Sequence, residues 1–147
     1  MIQKTKGRMA LCLTLILMLL TFIWGNSILP GKVSGEISGW LQSLLGLTST
    51  GQEGHGILRK LAHFTEFAGL GACLGWLYAM LGKKPWCSLG CAFAAACIDE
   101  TIQYFVPDRG PAVADVLLDT AGGAAGIGIL LLVYIICKKH NKKFGGI

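Results

Sequence analysis

Read only for apolar and polar positions, the chain contains four long apolar stretches, the first two separated by a longer amphipathic segment and the others by short polar turns. The stretches run from about Met9 to Ile28, Ile57 to Leu81, Pro85 to Phe105 and Ala112 to Cys137. A hydrocarbon core about 30 Å thick needs about 20 apolar residues in a helix, and each stretch reaches that length. Between the first two, "GKVSGEISGWLQSLLGL" repeats Val33, Ile37, Trp40, Leu41, Leu44 and Leu45 at helical spacing. Lys32, Glu36 and Gln42 take other positions. The pattern predicts a short amphipathic helix, either on the outer membrane surface with Trp40 at headgroup level or packed across the top of the bundle. The expected fold is an all-α membrane protein: a bundle of about four transmembrane helices plus a short outer-surface amphipathic helix.

Composition narrows this further. The 147 residues are 53% apolar and 14% charged, with mean hydropathy +0.60. A soluble domain would struggle to bury that much apolar surface. No repeat and no Pro/Ser-rich linker divides the chain, so 1–147 reads as a single domain. The first stretch also resembles a secretory signal, but it is long for one and lacks an A-x-A site, with only "GNS" at 25–27 as a small-residue candidate. A retained helix is expected.

The net charge of +5 invites a nucleic-acid reading, which its distribution argues against. Lys4, Lys6 and Arg8 precede the first stretch, Lys83 and Lys84 separate the second from the third, and Lys138, Lys139, Lys142 and Lys143 follow the fourth. Cations just beyond apolar segments mark cytoplasmic flanks. Both termini and the "GKKP" turn are therefore expected in the cytoplasm, with 29–56 and "VPDRGP" outside. The cysteines Cys12, Cys73, Cys87, Cys91, Cys97 and Cys137 all lie in apolar runs without a CxxC pair, and read as small buried residues.

Five of the eight acidic residues fall inside the apolar stretches: Glu66, Asp99, Glu100, Asp115 and Asp119. Each costs roughly 2.5–3.5 kcal/mol at bilayer depth unless paired or hydrated. Their depths agree. At about 1.5 Å per residue, His63 lies about 9 Å below the outer start of its stretch, Asp99 about 9 Å below an outer end, and Asp119 about 10 Å in. Facing agrees too. Arg59, Lys60, His63 and Glu66 share an arc of roughly 120°. Asp99, Glu100 and Gln103 share roughly 100°, and Asp115 and Asp119 stand one turn apart. Three polar stripes at one level are expected to converge. The pairs Gly71/Gly75 and Gly122/Gly126 offer small-xxx-small faces where the helices would approach.

Several chemistries fit such a cluster. Asp115 and Asp119 repel at i, i+4 unless one is protonated or a cation intervenes; Arg59, Lys60 and Arg109 are available. Cations oriented by acids would also bind a phosphate or carboxylate. A closed ion network fixing the bundle is the plain structural reading, though buried ion pairs stabilise little relative to an apolar core. Acid–base work by His63 with Glu66 or Asp99 on a lipid headgroup, a hard divalent ion among His63, Glu66 and the other acids, and a proton relay are further readings. An outer-leaflet pocket for an amphiphile is preferred.

The blocks "NSILPGKVSGEIS", "RKLAHFTEF" and "DETIQYFVPDRGPAVADVLLDTAGGAAG" resemble, in order and spacing over nearly the whole chain, the VanZ-like family of bacterial membrane proteins. The resemblance implies a polar signature at Lys60, His63, Glu66, Asp99, Glu100, Gln103, Arg109 and Asp115, with Gly122 and Gly126. Asp119 departs from the asparagine common at that position, which adds a negative charge. The namesake is associated with resistance to teicoplanin, an acylated glycopeptide acting at the outer face of the membrane. The resemblance thus implies a bacterial cell membrane and a role in glycopeptide tolerance, beside which a native envelope role stays open. The expected site comprises Lys60, His63, Glu66, Asp99, Glu100, Gln103, Arg109, Asp115 and Asp119. No catalytic residue, metal ligand or cofactor is assigned. Expected partners are membrane lipid, a lipid-linked cell-wall precursor or an acylated glycopeptide, with oligomerisation open.

Overall fold

A computed structural model describes residues 2–44 and 52–144. Among them are five α-helices, one 3-10 turn and no strand. α1 spans Ile2–Ile28, α2 Gly31–Leu44, α3 Gln52–Met80, α4 Leu89–Tyr104 and α5 Val113–Phe144, with the 3-10 turn at Pro85–Ser88.

Local chemistry sets the breaks. Pro30 disfavours a helical Leu29 and stops α1; its carbonyl then accepts the Ser34 N–H at 3.0 Å and starts α2. α3 ends at a left-handed Gly82 (φ 71°), with Lys83 N–H donating to the Tyr78 carbonyl at 2.8 Å. That bond satisfies a carbonyl left over at the helix terminus, in a conformation that glycine adopts without strain. Pro107 and Pro111 keep the α4–α5 connection out of helix.

Among the described residues, two helices are long and apolar enough to cross a membrane: α1 over Lys6–Ile28 and α5 over Val113–His140. The third expected span divides into the 3-10 turn and a 16-residue α4, and α3 dilutes its apolar character with Arg59, Lys60, His63 and Glu66. α1 and α3 also begin earlier than their apolar stretches, since backbone hydrogen bonding continues through polar residues.

α3 and α5 form the most extensive helix pair, and glycine makes it possible. A Cβ at Gly71 would collide with the Gly123 backbone, one at Gly122 with the Phe64 carbonyl oxygen, and one at Gly126 with the Ala68 carbonyl oxygen. Gly75 is looser, its nearest neighbour being the Leu130 side chain at 3.1 Å. This backbone proximity and its dispersion contacts carry the association. Cys12, Ile16 and Ile23 of α1, Phe67 and Leu70 of α3, and Ala95 and Ala96 of α4 complete the core.

The outward surface is apolar. Leu11, Leu17, Met18 and Phe22 of α1 and Ile129, Leu132, Val133 and Ile136 of α5 are exposed, apolar surface of the kind that marks a membrane or interaction face. On α2, Val33, Ile37, Trp40 and Leu44 are exposed as well, which favours a surface-lying helix over one packed across the bundle. Leu45 and the Leu41 side chain lie outside the described residues.

Candidate functional site

The polar stripes of α3, α4 and α5 meet. Asp99 and Asp119 are almost fully enclosed, and Glu100 and Gln103 are 5% exposed. The His63 Nδ1 atom lies 3.6 Å from Asp99 Oδ2 and 3.8 Å from Asp119 Oδ2. Both separations exceed hydrogen-bond reach. Gln103, one turn beyond Asp99, donates from Nε2 to Asp99 Oδ2 at 2.9 Å and fixes that carboxylate. Lys60 Nζ sits 3.2 Å from Asp115 Oδ1. The expected repulsion between Asp115 and Asp119 is therefore divided: one faces lysine, the other histidine.

Glu100 performs a different task. Its Oε2 accepts the Ala112 N–H at 2.9 Å, immediately before α5. A carboxylate at a helix N-terminus satisfies an otherwise unpaired donor and suits the helix dipole. Glu100 thereby ties the end of α4 to the start of α5.

α1 adds two groups that the polar stripes did not reveal. Asn26 donates from Nδ2 to Glu66 Oε1 at 3.4 Å, and Gln103 Nε2 lies 3.5 Å from the buried Ser27 hydroxyl. The Asn26 carbonyl accepts from Arg109 Nη2 at 3.2 Å. The signal was present in "GNS", a polar pair closing an apolar helix within the first family-like block.

Space around the cluster falls into two parts. Arg59, Lys60, His63, Glu100, Gln103, Asp115, Leu118 and Asp119 line a small pocket of about 10 Å³, on the order of a single water. Beside it, Gly31, Lys32, Ser34, Gly35, Glu36, Ser38, Gly56, Arg59 and Asp108 line an open groove of about 760 Å³. Arg59 borders both. Burial pushes the Arg109 guanidinium below its ordinary range, and the Arg59 charge adds to that. Arg109 Nε and Nη1 are enclosed without a hydrogen-bond partner. A guanidinium with open donors beside a second guanidinium makes a locus for an anion.

Enclosed acceptors without a hydrogen-bond partner also lie in the cluster: Glu66 Oε2, Asp99 Oδ1, Asp115 Oδ1, which faces Lys60, and both Asp119 carboxylate oxygens. His63, Asp99 and Asp119 each offer one ligand atom within 4.8 Å of the others. Of the expected site residues, His63, Asp99, Gln103 and Asp119 form the centre. Lys60 with Asp115, Glu66, Glu100 and Arg109 surround it.

Comparison with curated proteins and with solved structures gave no match. The profile of the VanZ/LLP1 family matches residues 9–135, most of the chain and every site residue named above. The chain is a helical membrane protein and belongs to the VanZ/LLP1 family.

Proposed function

We propose that this protein binds the polar headgroup of an amphiphile from the outer leaflet of a bacterial cell membrane, a lipid-linked cell-wall precursor or an acylated glycopeptide of the teicoplanin type. The observation that carries the reading is the pair Arg59 and Arg109. Their charges oppose each other, Arg109 has open donors, and Arg59 lines the mouth of a groove of headgroup size. An anionic group between them would relieve the repulsion and complete the hydrogen bonds.

The mixed lining of the groove, with Lys32, Ser34, Ser38, Glu36 and Asp108, suits a headgroup that combines charge with hydroxyl or amide groups. A second, apolar groove of about 550 Å³ runs along α1 past Leu17, Met18 and Phe22 to Asn26. An acyl chain lying there would direct its head toward the Glu66 side of the cluster, because Asn26 contacts Glu66. In this reading α1, α3, α4 with its preceding turn, and α5 all cross the bilayer. Both termini and the "GKKP" turn are cytoplasmic, following the cationic flanks.

The test is teicoplanin susceptibility of a sensitive bacterial host expressing wild type or Arg59→Gln at matched membrane abundance. Protection by wild type, reduced severalfold or lost in the variant, is expected. Equal protection by both would remove the arginine pair from the function, and no protection by either would leave a native envelope lipid as the ligand. Enzymatic action on the headgroup is the alternative, favoured by the imidazole of His63 between two carboxylates. Headgroup turnover in liposomes that disappears in His63→Ala would select it.

A further inference from the structure

We infer that His63, Asp99 and Asp119 form a binding site for one divalent cation of the manganese or zinc type, beside the small pocket that Arg59 also lines. Three observations converge on it.

The first is spacing. His63 Nδ1 stands 3.6 Å from one carboxylate oxygen and 3.8 Å from the other. A direct imidazole–carboxylate hydrogen bond would draw these atoms to about 2.7–2.9 Å. Donors sharing an ion at about 2.0–2.2 Å each are instead held roughly 3.3–3.6 Å apart in tetrahedral geometry. The 3.6 Å separation meets the upper end of that range and the 3.8 Å one lies just beyond it, both well outside hydrogen-bond distance.

The second is unmet bonding. Both oxygens of Asp119 and one of Asp99 have no hydrogen-bond partner, although Asp119 is 1% exposed and Asp99 is fully enclosed. An enclosed carboxylate left in this state costs free energy that a cation would recover. Lys60 is not the missing partner, because it pairs with Asp115. One imidazole faces two carboxylates, with Glu66 close by and its Oε2 also open.

The third is size and support. The adjoining pocket, about 10 Å³, accepts a single ion or water and no headgroup. Gln103 holds Asp99 at 2.9 Å, the kind of outer bond that orients a metal-binding carboxylate. One nitrogen and two carboxylates form a mixed donor set that suits manganese or zinc better than calcium. The ion would also present positive charge toward the arginine pair; that last link alone rests on the headgroup reading.

The experiment uses the full chain, tag removed, purified in a zwitterionic detergent with no anionic amphiphile and stripped with a chelator. Mn²⁺ and Zn²⁺ are titrated separately, with stoichiometry by elemental analysis after gel filtration and Mn²⁺ occupancy by loss of the aqueous six-line EPR signal. One ion per chain is expected for at least one of the two metals. Asp119→Asn and Asp99→Asn should each weaken binding at least tenfold. Failure of both metals to bind wild type stoichiometrically would overturn the inference, as would unchanged affinity in both variants. Should a variant aggregate, the wild-type stoichiometry and a metal-induced rise in its Tm decide the matter. Because no amphiphile is present, failure here leaves the headgroup reading intact, and failure of headgroup binding leaves the ion site intact.

Discussion

Gly126→Val is expected to remove most of the folded protein from the membrane. The Gly126 Cβ position already coincides with the Ala68 carbonyl oxygen, so even alanine has no room there. Backbone cannot step aside as a side chain can; α3 and α5 would have to separate, which also breaks the contacts at Gly71 and Gly122. Overpacking usually costs about 1–3 kcal/mol, and a clash with backbone belongs at or above the top of that range. Gly75→Ala supplies the contrast. Its nearest obstacle is the end of the Leu130 side chain at 3.1 Å, which can turn away, so a loss under about 1 kcal/mol is expected. Membrane abundance and thermal unfolding in detergent measure both. Equal tolerance of the two substitutions would mean that the α3–α5 seam is not the tight one.

Asp119→Asn is expected to stabilise the chelator-treated protein. A structural ion network predicts the opposite, because removing one partner of a buried pair typically costs about 3–5 kcal/mol. Here the deleted charge is the surplus one. Asp99 remains beside His63 at 3.6 Å, and both Asp119 oxygens lack hydrogen bonds to lose. A gain of about 1–2 kcal/mol follows from relieving an enclosed, unsatisfied carboxylate. Thermal unfolding in the presence of chelator reads the sign directly. Destabilisation by several kcal/mol would assign the cluster to bundle architecture.

The convergence of α3, α4 and α5 was legible in the sequence because charge inside an apolar stretch is costly enough to force its own pairing. His63, Asp99 and Asp119 were therefore findable from depth and facing. Which acid faced which cation was not, since arcs of 100° or more leave several partners within reach. Asn26 and Ser27 escaped because their small polar side chains suggested a cleavage site rather than hydrogen bonds across the bundle. Gly123 escaped as well. It belongs to neither four-residue glycine pair, yet a Cβ there would press the Ala92 side chain at 2.9 Å. Mean hydropathy placed the helices but overstated α4, whose 16 residues include three enclosed polar side chains. The role of Arg59 on two sides of one wall depends on the α2–α3 groove, a tertiary feature with no sequence period.

Headgroup binding in nanodiscs is the most direct test of the central claim. Wild type and Arg59→Gln would be placed in phosphatidylcholine discs and titrated with a polyprenyl diphosphate, following intrinsic tryptophan fluorescence. The account predicts saturable binding by wild type and at least tenfold weaker binding by the variant. Binding of equal strength in both, or none above protein-free discs, would contradict it.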